Sequence, residues 1–390
     1  MLKAVHIAWI ILQIVIGFHL FFPLLLLLLS KLKSNKKAPT LNDNQDIDFA
    51  IIITAYEETI NLPDVVNAIL KQAYQNYTVY LVADKCDTST LFFNDERVNI
   101  LLPPTVIGSN TGSHAYAMEH FKKQHDVVTI IDSDNIIDPN YLLAIKKSFD
   151  NGFTAVQGLR AAKNLDTNYA CLDAARDIYY HFYDGEVLFK SGSSATLAGS
   201  AMAFKTELYR EFLTHCKVSG AGFDKVLQHY IVKQDIRIAF NKDAILLDQK
   251  TTHADQLVKQ RSRWINTWFK YFNYGFGVIA KGVKNLSVNQ FVFGIVLLRP
   301  PLFIFLILSV FATLINLSLG LNYQIWLIGF ASFIIGFFIS LKSSKTDQRI
   351  YASLVNIPKF MFFQLLSLSK VRNANKISVA TKHQKPSNEI

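Results

Sequence analysis

Val128-Thr129-Ile130-Ile131-Asp132-Ser133-Asp134-Asn135 is the stretch on which the reading of this chain turns. Its apolar, largely β-branched run reads as a buried strand. The run stops at two carboxylates one residue apart. Ionised carboxylates are costly to bury without partners, so Asp132 and Asp134 must project past the strand end or hold a cation. An Asp-x-Asp at such an end can grip a hard divalent ion between the protein and a substrate diphosphate. The competing reading is a plain turn, because Asp, Ser and Asn all favour turns. Taken alone, the stretch leaves the two readings evenly matched.

Upstream, residues 49–54, 79–83 and 98–102 read as further buried strands. Helical patterns run through Val65, Ile69 and Ala73 and over residues 113–123. Strands alternating with helices predict an α/β fold, a mostly parallel sheet with helices on both faces. Ligands of such sheets bind beyond the carboxyl ends of the strands. Thr54, Tyr56 and Glu57, then Asp84, then Asp132 and Asp134 all fall at those ends. That convergence favours a site for a metal-bound, phosphate-bearing ligand over a chance turn.

Downstream the pattern loosens. Residues 155–157 suit a strand, and 169–188 an aromatic-rich helix. Residues 197–204 mix small and apolar side chains, as suits close backbone approach to a ligand or a tight turn between core strands. Gly220-Ala221-Gly222-Phe223-Asp224 leads into a helix through Leu227 and Ile231, with Asp224 near its cap. Residues 237–244 suit another strand and turn. Gln260, Arg263 and Trp264 share one face of a helix over 256–272, at i, i+3 and i+4. A guanidinium, an amide and an indole side by side can bind phosphate and stack on a sugar. Arg and Trp on one helix also suit a membrane interface.

Of 390 residues, 51% are hydrophobic and the mean hydropathy is positive, too apolar for an ordinary soluble enzyme. No charged residue lies between Lys3 and Lys31, and residues 4–29 are long enough to cross a bilayer. A cleaved signal peptide would have a shorter apolar region and a small-x-small site. Lys31, Lys33, Lys36 and Lys37 follow, which predicts an external N-terminus and a cytoplasmic next segment. Residues 300–341 are again free of charge, enough for a two-span hairpin turning near 316–324. Lys281, Lys284 and Arg299 before it, and Lys342, Lys345 and Arg349 after it, place both of its ends in the cytoplasm. Residues 351–368 carry Pro358-Lys359 midway and read as an interfacial helix rather than a fourth span. The formal charge is +10, and residues 342–390 hold nine Lys or Arg against Asp347 and Glu389. Beside a membrane hairpin, that points to anionic lipid rather than nucleic acid. Cys86, Cys171 and Cys216 show neither paired nor metal-type spacing, which suits a reducing compartment. The expected partition is therefore an N-terminal span (1–30), a linker (31–48), a catalytic domain (49–255), an interfacial segment (256–299), a hairpin (300–341), and an interfacial helix with a basic tail (342–390).

The order Thr54-Ala55-Tyr56-Glu57-Glu58, Val82-Ala83-Asp84, Asp132-Ser133-Asp134 and Gln260-Arg261-Ser262-Arg263-Trp264 resembles the membrane-bound family 2 glycosyltransferases. These include cellulose, hyaluronan and poly-N-acetylglucosamine synthases and bacterial exopolysaccharide transferases. The resemblance covers about residues 49–272 and the flanking spans. It implies the GT-A fold and a multi-pass protein of the bacterial inner membrane, with its catalytic domain in the cytoplasm. It implies a UDP-sugar donor, a polysaccharide or lipid-linked acceptor, membrane lipids, and homo-oligomer or envelope-export partners. Position by position, Thr54, Tyr56 and Glu57 match the nucleotide-binding segment and Asp84 the uridine-binding aspartate. Asp132 matches the nucleotide-sugar contact, and Asp134 the ligand of Mg2+ or Mn2+. Gln260, Arg263 and Trp264 match the motif at the diphosphate and acceptor.

Three departures stand out. Ile53 or Thr54 replaces the usual Pro before the first motif. Ser113-His114 stands where relatives carry Gly-Lys, which puts a histidine where a phosphate-side lysine is expected. The Thr-Glu-Asp whose Asp is the general base is absent. Counting back from Ile236-Arg237-Ile238, Gly222-Phe223-Asp224 is its match, with Asp235 as the fallback. The resemblance leaves open polymerisation or single transfer to a glycolipid or lipid carrier. An inactive membrane protein that binds nucleotide sugars is the rival from another class.

Overall fold

The computed structural model describes residues 2–33, 46–216, 218, 220–371 and 374. Most of the expected linker and basic tail lies outside them. The long helix α1 (Leu2–Lys33) precedes β1 (Phe49–Tyr56), α2 (Leu62–Leu70), β2 (Tyr77–Asp84), β3 (Val98–Leu101), α3 (Asn110–Glu119), β4 (Val127–Asp132), β5 (Ile136–Ile137), α4 (Tyr141–Asp150) and β6 (Ala155–Ala162). Helix α5 (Asn168–Tyr180) then runs through a π-helical segment, His181–Val187, into the short α6 (Leu188–Lys190). Next come β7 (Met202–Lys205), α7 (Thr206–His215), α8 (Phe223–Lys233) and β8 (Ile238–Asp248). The remainder is helical: α9 (Ala254–Tyr271), α10 (Tyr274–Lys284), α11 (Val288–Leu298), α12 (Leu302–Ser318), α13 (Gln324–Ser343), α14 (Gln348–Ser353) and α15 (Ile357–Ser369).

The eight strands form one sheet in the order β3-β2-β1-β4-β7-β6-β8-β5. Strands β3, β2, β1 and β4 are mutually parallel, as are β6 and β8; β7 and β5 run antiparallel to their neighbours. β1 pairs with β2 on one side and β4 on the other, so the order reverses there and a crevice opens at its carboxyl end. Ile51, Ile52 and Ile53 in β1 are fully buried, each worth roughly 1.5–3 kcal/mol. Their side chains alternate between two cores. One core packs α2 and α4 on the sheet. The other joins α7, α8 and the π segment to Leu20 and Leu26 of α1 and Phe305 of α12.

Among the described residues, two helices are long and apolar enough to cross a membrane, at 4–32 in α1 and at α13. α11 and α12 meet that standard only as a pair bent by 70°. α12 and α13 both pack on α1 and barely touch one another, meeting through Phe305 and Phe333. Polar side chains tie the three together: Trp9 Nε1 and Asn316 Nδ2 donate to Asn316 Oδ1 (3.1 Å) and Gln13 Oε1 (2.6 Å) respectively, and Trp326 Nε1 donates to the same Gln13 oxygen. Such bonds hold helices together where apolar burial gives little. α15 has 13 residues, too short to span, and packs on α9.

Candidate active site

The strand register aligns the residues at the crevice. Thr54 pairs with Asp132 across β1 and β4, and Tyr56 with Asp84 across β1 and β2. All four line one cavity of about 1400 Å³, with Asp134, Asp224, Gln260, Arg263 and Trp264. Glu57 is the exception. Its backbone is left-handed (φ 62°), and its side chain meets Lys85 at 2.6 Å on the surface. Glu58 lines the cavity in its place. Asp84 accepts the backbone N–H groups of Ile107 (3.0 Å) and Gly108 (2.7 Å), which fixes its carboxylate at the rim.

Asp132 to Asn135 is both the turn and the rim of the site. Asn135 N donates to Asp132 O at 3.1 Å, and its buried side-chain amide donates to Asp134 Oδ1 and Asp248 Oδ1, both at 3.1 Å. Asp248 ends β8, so β4 and β8 are pinned through this amide. Burial and the nearby Asp134, Asp248 and Asp224 carboxylates push Asp132 up to about 7, against the pull of Arg160. Crowded carboxylates of this kind suit a cation. Among the described residues no three acidic, His or Cys groups form a complete metal cage. Mg2+ commonly needs only one or two carboxylates plus substrate phosphates, and Asp132 with Asp134 fit that donor set.

Asp224 enters from the first turn of α8. Gly222 caps that helix in a left-handed conformation (φ 99°), and a Cβ there would lie 2.5 Å from Thr267 Cγ2 on α9. Gly222→Ala should therefore shift α8 and its carboxylate relative to α9. Backbone strain of about 1–3 kcal/mol adds to the clash. We expect at least a tenfold loss of activity with a smaller loss of nucleotide affinity, read by steady-state kinetics. Asp235 lies elsewhere. It accepts Ser287 Oγ (2.5 Å) and Asn289 Nδ2 (3.3 Å) at the α8–α11 junction and does not line the cavity.

His114 also differs from expectation. It is fully buried, its Nδ1 is 2.7 Å from Tyr209 Oη, and its ring packs on Phe223. Burial pushes it down to about 3, so it is a neutral core group rather than a phosphate-side cation. Ser113 alone of that pair lines the cavity.

A chain of buried charges, of which Arg160, Arg176, Asp177, Asp248 and Arg261 line the same cavity, is not among the residues singled out from sequence. Arg160 pairs with Asp248 (2.9 Å), Lys250 bridges Asp248 (2.7 Å) and Asp177 (2.5 Å), Arg176 meets Asp177 and Asp173, and Arg261 meets Asp173. Burial favours neutral Lys250, but Asp177 and Asp248 outweigh it and raise its pKa. Burial would likewise raise Asp248, yet Arg160 and Lys250 hold it well below the usual carboxylate range. Arg176 and Arg261 each lie 4.3 Å from the Trp264 ring. These cations fix the indole at the cavity wall. Asp248 had a usable signal, since it ends the apolar run Ile245-Leu246-Leu247 just as Asp132 ends its own strand. Arg261 sits at i+1 from Gln260, off the face that carries Arg263 and Trp264.

Residues 46–267 match the family described as "Glycosyltransferase like family 2", more than half of the chain. The chain belongs to glycosyltransferase family 2. This glycosyltransferase is 25% identical over 299 residues to the hyaluronan synthase of Streptococcus pyogenes serotype M1, which covers 71% of this chain and 68% of the relative. It is 25% identical over 306 residues to the hyaluronan synthase of a serotype M3 strain, covering 73% and 70%. Among solved structures, a mannosyltransferase from Pyrobaculum calidifontis in complex with GDP-Man and Mn2+ superposes with a TM-score of 0.58 at 15% identity, over 91% of this chain and 98% of that one. That likeness establishes the GT-A fold.

Proposed function

We propose that this glycosyltransferase moves a sugar, with inversion, from a UDP-sugar to a hydroxyl of a polysaccharide or lipid-linked acceptor at the cytoplasmic face of a membrane. One observation carries the reading. Asp224 opens onto the same cavity as the Asp132–Asp134 pair, close enough to raise the pKa of Asp132, with Gln260, Arg263 and Trp264 also on that cavity.

Asp224 takes the proton of the acceptor hydroxyl as its oxygen attacks the anomeric carbon. The bond from that carbon to the diphosphate oxygen breaks, and the diphosphate leaves with the electron pair. Tyr56 and Asp84 hold the base, with Thr54 beside them, and Asp132 meets the nucleotide sugar. Gln260 and Arg263 donate to the diphosphate, and Trp264 bounds the acceptor. Asp134 would hold Mg2+ or Mn2+, which when bound offsets charge on the departing diphosphate. Glu57, turned toward Lys85, plays no part in base binding on this reading.

The test is the purified full chain in detergent with a panel of radiolabelled UDP-sugars and sizing of the product. Label in a polymer or a lipid is expected. Chelation by EDTA should stop transfer, and Mg2+ or Mn2+ should restore it. Transfer that persists in EDTA would remove the metal from the scheme, and no label with any UDP-sugar would sink the donor assignment.

A further inference from the structure

The cavity does not stop at the catalytic domain. Past Arg299 it continues as a limb between α12, α13 and α15. Its α12 wall is Leu306, Val310 and Leu314, spaced four apart on one face; its α13 wall is Phe330, Ile334 and Phe338. From residue 302 to 314 the lined face runs about 18 Å at 1.5 Å per residue. The whole cavity, about 1400 Å³, exceeds the roughly 300–1,000 Å³ of a single small-molecule site. A donor therefore leaves room for a second molecule.

The geometry points to an amphiphilic acceptor whose long hydrocarbon chain lies in this limb while its polar head presents the reacting hydroxyl to Asp224. This rests on the sugar-transfer reading and names its acceptor class. Beyond Arg299 the lining holds no charged side chain, and Gln364 is its one polar member. A sugar chain threading the limb would bury hydroxyls without partners, which is costly, whereas a hydrocarbon needs none. Val310, Leu314, Ile334 and Phe338 remain about half exposed, so protein does not cover them. The limb is continuous with the catalytic carboxylates, so whatever covers these residues can reach the reacting centre. The break at Arg299-Pro300-Pro301, where α11 and α12 bend by 70°, marks the passage from charged to apolar lining.

The test uses the full chain in nanodiscs and two acceptors with one head group, one bearing a C16 or longer chain and one a butyl chain. The long-chain acceptor should have a kcat/KM at least tenfold higher. Val310→Trp and Ile334→Trp project bulk into the cleft from half-exposed positions, and each should cut that preference at least tenfold. A diazirine-tagged hexadecyl glycoside, which needs no donor, provides a second readout. It should label α12, α13 and α15 in the cleft and be displaced by excess long-chain acceptor. Equal use of both acceptors, an undiminished preference in both variants, or cleft labelling that excess acceptor does not displace would overturn the inference, the last marking ordinary bilayer lipid. Displaceable cleft labelling without turnover of any UDP-sugar would instead overturn the donor reading and leave this one standing.

Discussion

Asp224→Asn is expected to lower kcat for sugar transfer by about a thousandfold, within the usual 10²–10⁴ contribution of a positioned general base. The amide keeps the size of the carboxylate but cannot take the acceptor proton. Its place in the first turn of α8 leaves Asp84 and its two backbone donors untouched, so UDP affinity should change by less than about threefold. Removing a carboxylate also relieves its repulsion of Asp132. The matched control is Asp235→Asn, which alters hydrogen bonds to Ser287 and Asn289 outside the cavity and should keep most activity. Steady-state kinetics with UDP titration by calorimetry would decide the point. A kcat within tenfold of the unaltered protein would remove Asp224 from the proton transfer.

The second large effect is expected at Arg299. Its guanidinium pairs with Asp184 of the π segment, and both are buried. Arg299→Met leaves a buried carboxylate without its cation, which should cost about 3–5 kcal/mol. Asp184 Oδ1 has no hydrogen-bond partner among the described residues, so no nearby donor takes over. The double change Asp184→Asn with Arg299→Met should recover much of the loss, because removing both charges is often close to neutral. Denaturant unfolding in detergent, followed by tryptophan fluorescence, measures both. A single variant within 1 kcal/mol of the unaltered protein would show that water or lipid already solvates Asp184.

The parallel half of the sheet was legible because β1, β2 and β4 are uninterrupted apolar runs, each with a carboxylate at or just past its end. The antiparallel members, β7 and β5, were not. β7 has only four residues in the middle of the sheet, too few for a periodic pattern, and its neighbourhood read as a small-residue stretch. Residues 169–188 read as one helix, and a helix does run through them, yet the π segment within it leaves no periodicity to detect. The Gln260, Arg263 and Trp264 face was visible from spacing alone. The buried charge chain was not, since Asp173, Arg176, Asp177 and Lys250 come together only when α5 packs beside the end of β8. His114 shows the opposite failure, a motif position whose side chain turns into the core. The apolar stretches of α1, α12 and α13 were plain from hydropathy, but not that α12 and α13 would stand apart.

Leu20 and Leu26 of the first helix share one buried cluster with Ile52 and Val82 of the sheet. The helix therefore contributes to the folding free energy of the catalytic domain. Were this helix to insert into a bilayer, as proposed above, insertion and closure of the sheet's second face would be linked equilibria, each favouring the other. Swapping this helix for a generic anchor of equal hydropathy would preserve localisation and lose that linkage.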